Sequence, residues 1–275
     1  MIIDAHVQFW KYKKGAYPWI TSNMDMLKED FLPENFSLTA KRNEISGVVA
    51  VNAHPAEVET RFLVELSKTH PIINGVVGWI DLANEYVNEK LAFFSQYPVI
   101  KGWYIDLQNN PGLLADANFL QGINEVQSLN QTCDLQVNHD QLPAIVEFFS
   151  RFPQQECVIT HCAKPDIRHG AMDEWKFLIR EVAKHSNAYC KVSGLFTQAS
   201  WKQWSAGDFY PYLDVVFESF GTDRLLYASD WPVLLLSGIY VQWKSLLENY
   251  MKDFAEEEKE KVFGLNAKRF YNLNT

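Results

Sequence analysis

Eight short runs rich in β-branched and aromatic residues recur along the chain, separated by segments whose apolar residues fall at helical spacing. The runs are the opening Met-Ile-Ile-Asp-Ala-His-Val-Gln-Phe-Trp segment, then residues 47–52, 73–82, 99–108, 133–139, 157–162, 188–195 and 225–231. Helical patterning covers 32–43, 57–68, 85–96, 118–130, 141–151, 172–184 and 210–220, with two more segments at 239–254 and 256–270. Strands that regularly alternate with helices must run parallel, because each helix carries the chain back to the same sheet end. Eight such units in 275 residues match the length of a (β/α)₈ TIM barrel. No internal repeat, low-complexity tract or Gly/Ser linker divides the chain, so residues 1–275 are expected to form a single α/β domain.

In such a barrel, chemistry gathers where the strands end at their C-terminal side. The first strand ends in His6 and Gln8, which period-two alternation places on one face together with Asp4. The later strands end in Asn52 and His54, Trp79 and Asp81, Tyr104, Asp106 and Gln108, Asn138 and His139, His161, Ser193, and finally Asp230. This recurrence of titratable groups at one end of the architecture indicates an enzyme. Asp230, in Tyr-Ala-Ser-Asp-Trp-Pro, is flanked by Trp231 and Pro232, so partial desolvation would raise its pKa and suit it to take a proton from water. His161, in Thr-His-Cys-Ala-Lys-Pro, can donate to a carbonyl oxygen or bind a metal. Lys164 can present an ammonium, and Trp10, Trp19, Trp103 and Trp231, at strand ends or on the long loop over residues 11–31, offer aromatic faces for a sugar-like ring. His54 and His139 stand at the edge of this set, one before Pro55 and the other before a helix start. The nucleophile elbow, Walker loop, dinucleotide fingerprint and His-Glu-x-x-His motif do not occur.

Composition narrows the partners. A formal charge of −9 leaves no basic stripe for phosphates, which disfavours nucleic acid and anionic membranes and favours a small-molecule substrate. No apolar segment reaches 18 residues and no signal-peptide pattern opens the chain. Cys133, Cys157, Cys162 and Cys190 form no Cys-x-x-Cys pair and read as reduced core thiols, so a cytoplasmic location is expected. Nothing in the sequence sets an oligomeric state.

Several motifs taken together resemble the sugar-lactone hydrolase branch of the amidohydrolase superfamily, the group of L-fuconolactonase-like and L-rhamnono-lactonase-like proteins. They are Ile-Asp-Ala-His near the start, Tyr17-Pro18-Trp19, Asp30-Phe31-Leu32-Pro33, the segment from Gly75 to Leu82, Gln141-Leu142-Pro143, His161 with Lys164-Pro165, the segment from Lys191 to Leu195, Ser229-Asp230-Trp231-Pro232, and Asn266 to Tyr271. The resemblance implies a barrel that opens a lactone with water. Asp230 would be the base, and His6 and His161 would hold the carbonyl oxygen or a divalent ion. Independently of the resemblance, their strand-end positions lead us to expect Gln8, Tyr104, His139 and Lys164 to border the substrate. Family members differ in their need for a metal. The chain departs from the family pattern at Gln8, where a second histidine is usual, at Tyr104-Ile105 in place of an Arg-His pair, at Thr160 in place of an aspartate, and at Gln198 in place of a glutamate. Each change removes a charge or a strong ligand, and an amide oxygen replaces imidazole poorly on zinc. The expectation is therefore no required cofactor, or one weakly held divalent ion such as zinc at His6, His161 and Asp230. The competing chemistries are a metal-dependent amidohydrolase or decarboxylase acting on a cyclic or aromatic acid, and a barrel that binds a ligand without turning it over.

Overall fold

The structure is a computed structural model that describes residues 1–274. Its eight strands are β1 (Ile2–Val7), β2 (Ile45–Val51), β3 (Ile73–Gly78), β4 (Ile100–Asp106), β5 (Thr132–Gln136), β6 (Cys157–Ile159), β7 (Ala188–Val192) and β8 (Leu225–Tyr227). They pair in parallel and in sequence order. The ring closes through the main chain, where the Gln8 amide donates to the Trp231 carbonyl at 2.8 Å and the Asp230 amide to the His6 carbonyl at 3.1 Å. Around the strands lie α1 (Pro33–Arg42), α2 (Glu57–Thr69), α3 (Val87–Ser95), α4 (Ala117–Ser128), α5 (Leu142–Arg151), α6 (Asp173–Ala183), the single turn α7 (Leu195–Gln198), α8 (Tyr210–Phe220), α9 (Tyr240–Tyr250), α10 (Glu256–Glu260) and α11 (Asn266–Phe270). No helix among the described residues is long and apolar enough to cross a membrane.

Two apolar layers follow from strand alternation. Ile3, Val49, Val51, Val77, Val158, Leu226 and Ala228 face inward and fill the barrel, whose floor is closed by Ala267, Phe270, Tyr271 and Leu273. The opposite faces of the same strands pack against the helices in the larger core. All four cysteines are buried free thiols.

The strands stop earlier than their apolar content suggests. β3, β4, β5, β6 and β7 end at Gly78, Asp106, Gln136, Ile159 and Val192, and the residues beyond curl into turns at the barrel mouth. β1 departs from strict alternation as well. Its register against β2 slips between Asp4 and Val7, a bulge that places two successive side chains out of phase. Asp4 therefore does not share a face with His6 and Gln8. Its carboxylate instead accepts from the Tyr240 hydroxyl at 2.8 Å and the Ser229 amide at 2.9 Å.

Candidate active site

His6, His161 and Asp230, from the ends of β1, β6 and β8, meet at the mouth. The Nε2 atoms of His6 and His161 lie 3.9 and 3.8 Å from Asp230 Oδ1. The imidazoles meet edge to face with centroids 4.7 Å apart. All three side chains are buried, and burial decides their ionisation: it pushes Asp230 up to about 8, with Lys164 pulling the other way. Burial, reinforced by the ammonium groups of Lys191 and Lys164, holds both histidines well below their usual range, so they are neutral.

The segment that delivers His161 is unusual. His161, Cys162, Ala163 and Lys164 all have positive φ, between 49° and 57°, a full turn of left-handed backbone without glycine. Such residues cost about 1–2 kcal/mol each. The turn places His161 and Lys164 over one cavity, and it is held by the Lys164 amide donating to the His161 carbonyl at 2.8 Å and Trp175 Nε1 donating to the Cys162 carbonyl at 2.9 Å. Ser193 Oγ lies 2.9 Å from His161 Nδ1, which orients that ring.

The cavity has a volume of about 250 Å³ and is lined by Gln8, Trp19, Met24, Tyr104, Asp106, Gln108, Gln136, Lys164, Gln198 and Trp201 as well as His161 and Asp230. Sites for drug-sized ligands span about 300–1,000 Å³, so this one suits a single small ring. Two buried polar atoms at its edge have no partner, His6 Nε2 and Gln8 Oε1. Such groups are costly to leave unsatisfied, and both are free to hydrogen-bond a ligand. Lys164 Nζ donates to Gln108 Oε1, and Thr160 Oγ1 donates to Gln136 Oε1 at 2.7 Å, so the side-chain amides of Gln108 and Gln136 line this wall of the cavity.

The structure thus brings together His6, His161, Asp230, Gln8, Tyr104 and Lys164. Of the four tryptophans it keeps Trp19 and removes Trp10, Trp103 and Trp231. Trp103 and Tyr104 are neighbours on β4 and must face opposite ways; Tyr104 enters the barrel while Trp103 packs on Phe94 and donates to Gln131. Trp231 points away from Asp230 into Phe9, Phe31 and Phe36. Trp10 is fully buried and anchors the 11–31 loop, with Nε1 donating to the Glu29 carbonyl and its backbone bridging Phe31. The aromatic wall of the cavity is the expected Trp19 together with Trp201. Trp19 lies on the long loop where an aromatic contribution is expected, whereas Trp201 carries no strand-end signal. His139 does not line the cavity; its Nδ1 sits 3.0 Å from the Lys164 carbonyl and supports the left-handed turn.

His6, His161 and Asp230 also satisfy the chemistry of a metal site: two imidazole nitrogens and a carboxylate oxygen within 4.8 Å of one another, with the His6 nitrogen unpartnered. Three protein ligands with room for a fourth is the pattern of catalytic zinc, and the residues fit one ion.

Known proteins share this architecture. An L-fucono-1,5-lactonase of Burkholderia multivorans is 32% identical to this chain, over 98% of it and 96% of the relative. An L-rhamnono-gamma-lactonase of Scheffersomyces stipitis is 27% identical over 69% of this chain and 64% of its own. The solved structure of an amidohydrolase from Burkholderia multivorans with bound zinc superposes with a TM-score of 0.96 at 32% identity, covering 99% of each chain. Residues 3–273 match the amidohydrolase family, and the chain belongs to it.

Proposed function

We propose that this protein is a hydrolase that opens a sugar lactone or a similar cyclic ester. The observation that carries the proposal is the convergence of a carboxyl raised to about 8 with two neutral imidazoles at one end of a cavity sized for a single ring. The lactonase names of the relatives support the same chemistry. Asp230 accepts a proton from water as the water oxygen bonds to the lactone carbonyl carbon. Charge develops on the carbonyl oxygen, where His6 Nε2 and His161 Nε2 face it, and a preorganised donor there acts only as the transition state forms. The ring C–O bond then breaks, the departing alkoxide takes the proton held by Asp230, and the product is a hydroxy acid.

Gln8 Oε1 accepts from a ring hydroxyl, Lys164 and Gln108 meet another, and Trp19 and Trp201 pack on the ring face. A lactone is an activated ester, so a positioned base and an oxyanion donor suffice for it. When bound by His6, His161 and Asp230, a divalent ion such as zinc would supply Lewis-acid polarisation of the carbonyl.

Hydrolysis of five- and six-membered sugar lactones in ¹⁸O-water tests this. The expected result is turnover of at least one lactone with the label in the new carboxylate. Rates equal to the uncatalysed reaction across the panel, or label in the released hydroxyl, would overturn it.

A further inference from the structure

Beneath the reacting groups lies a chain of buried polar side chains that the hydrolysis just described does not use. Lys191, from β7, is completely buried inside the barrel. Its ammonium contacts Asp134 of β5, also completely buried, and stands 3.3 Å from His6 Nδ1. The other oxygen of Asp134 accepts from the Tyr271 hydroxyl at 2.8 Å, so the chain runs from the barrel floor to the catalytic mouth. Stability does not explain such a pair, since replacing a buried ion pair with apolar residues of similar volume is often neutral or stabilising.

The partner of His6 Nδ1 is the informative part. A histidine that ligates a metal through one nitrogen almost always donates the N–H of the other to a carboxylate, a carbonyl or water. Here a lysine stands at that place, a group with protons to give, held by Asp134 in its donating form. A neutral imidazole that accepts at Nδ1 carries its own proton at Nε2. His6 Nε2 is the unpartnered atom, and it lies 3.9 Å from Oδ1 of the cavity-lining Asp230. His161 differs, because its Nδ1 meets the Ser193 hydroxyl, which can donate to the ring or accept from it while donating to the Lys191 carbonyl 3.5 Å away, so no obligate donor stands there.

We propose that Lys191, held by Asp134, is a positioning residue that locks His6 as the Nε2–H tautomer, making it a hydrogen-bond donor to the substrate carbonyl and a weak metal ligand. An ion at Nε2 would have to displace that proton, and Nδ1 cannot receive it while the ammonium sits there. The consequence for catalysis rests on the lactonase reading; the tautomer itself does not.

Nitrogen-15 NMR of the full-length protein labelled in histidine, with the His6 resonances assigned by their loss in His6→Gln, reads the tautomer directly. The expected result is protonation at Nε2. The triple variant Asp134→Leu/Lys191→Met/Tyr271→Phe removes the chain without leaving a lone buried charge. In it, His6 should populate both tautomers, zinc should bind about ten- to a hundredfold more tightly in a chelator competition, and kcat should fall about tenfold or more at a nearly constant KM. A wild-type His6 protonated at Nδ1 overturns the proposal even if the triple variant does not fold. So does a folded triple variant with unchanged His6 signals and unchanged zinc affinity. If the wild type hydrolyses no lactone, the lactonase reading fails while the tautomer and zinc measurements still decide this one.

Discussion

At the level of single residues, burial sets what each polar group can do. Gln8 and His6 both carry buried atoms without a partner, and an imidazole at position 8, away from the Lys191 ammonium that faces His6, would ligate zinc better than the amide does. Gln8→His should therefore raise zinc affinity about tenfold or more by calorimetric titration; unchanged affinity would mean that position 8 is not directed at the ion. Glu59 gives a cleaner electrostatic test, because it lies outside the reacting set. Burial pushes its carboxyl up to about 8, against hydrogen bonds from the Ala53 and His54 amides. An acid whose folded pKa is raised above its unfolded value binds more protons in the native state, so this group costs stability increasingly as pH rises from about 4.5 to about 8. A tenfold difference in proton affinity between the folded and unfolded chain is worth about 1.4 kcal/mol. Glu59→Gln should thus match the wild type near about pH 5 and exceed it by a few kcal/mol near about pH 9 in urea unfolding. A stability gap that does not vary with pH would contradict the assignment. Sequence patterning anticipated that Asp230, His161 and His6 meet at one end of the barrel, because strand ends in an alternating chain converge whatever the loops do. It misjudged Trp103, whose face was already fixed by adjacency to Tyr104, and Asp4, whose face depends on a bulge that alternation alone does not show.

Among the elements, the left-handed turn from His161 to Lys164 has the most consequence for the site. Nothing in Thr-His-Cys-Ala-Lys-Pro announces it, since positive φ without glycine reflects surroundings that overrule local preference. One of those surroundings is Gly194, at φ 69°, where an added Cβ would lie 2.6 Å from the His161 Cβ. Gly194→Ala should displace the His161 ring and lose both activity and melting temperature, at a cost of about 1–3 kcal/mol for the strained backbone alone. Thermal unfolding and kcat/KM check this together, and a variant unchanged in both would show that the turn does not depend on that contact. The 11–31 loop contributes to the site as its length suggests, through one of the two candidate tryptophans near it: Trp10 is its anchor and Trp19 its contribution to the cavity. Length alone marks a loop as functional, while the choice of aromatic depends on packing among Tyr17, Trp19 and Phe31.

For the whole molecule, the barrel was legible because eight β/α alternations admit few other closed arrangements, and its mouth then followed from strand direction. What pattern reading could not supply was the polar chain inside the barrel. Lys191 and Asp134 sit at inward positions that usually hold apolar residues, and only the closed ring brings β5, β7 and β1 near enough for them to reach His6. Every role given to the mouth depends on Asp230 activating water against a lactone whose carbonyl the two histidines polarise. The decisive experiment is the pH dependence of kcat/KM on the best lactone, measured for wild type and Asp230→Asn. A required base raised by burial must lose its proton to work, so wild-type kcat/KM should climb with pH and level off above about 8. Asp230→Asn should lose a factor of about 10²–10⁴ and that rise, while still binding the hydroxy-acid product. A variant that retains wild-type rates and the same pH profile would contradict the assignment of Asp230 as the base.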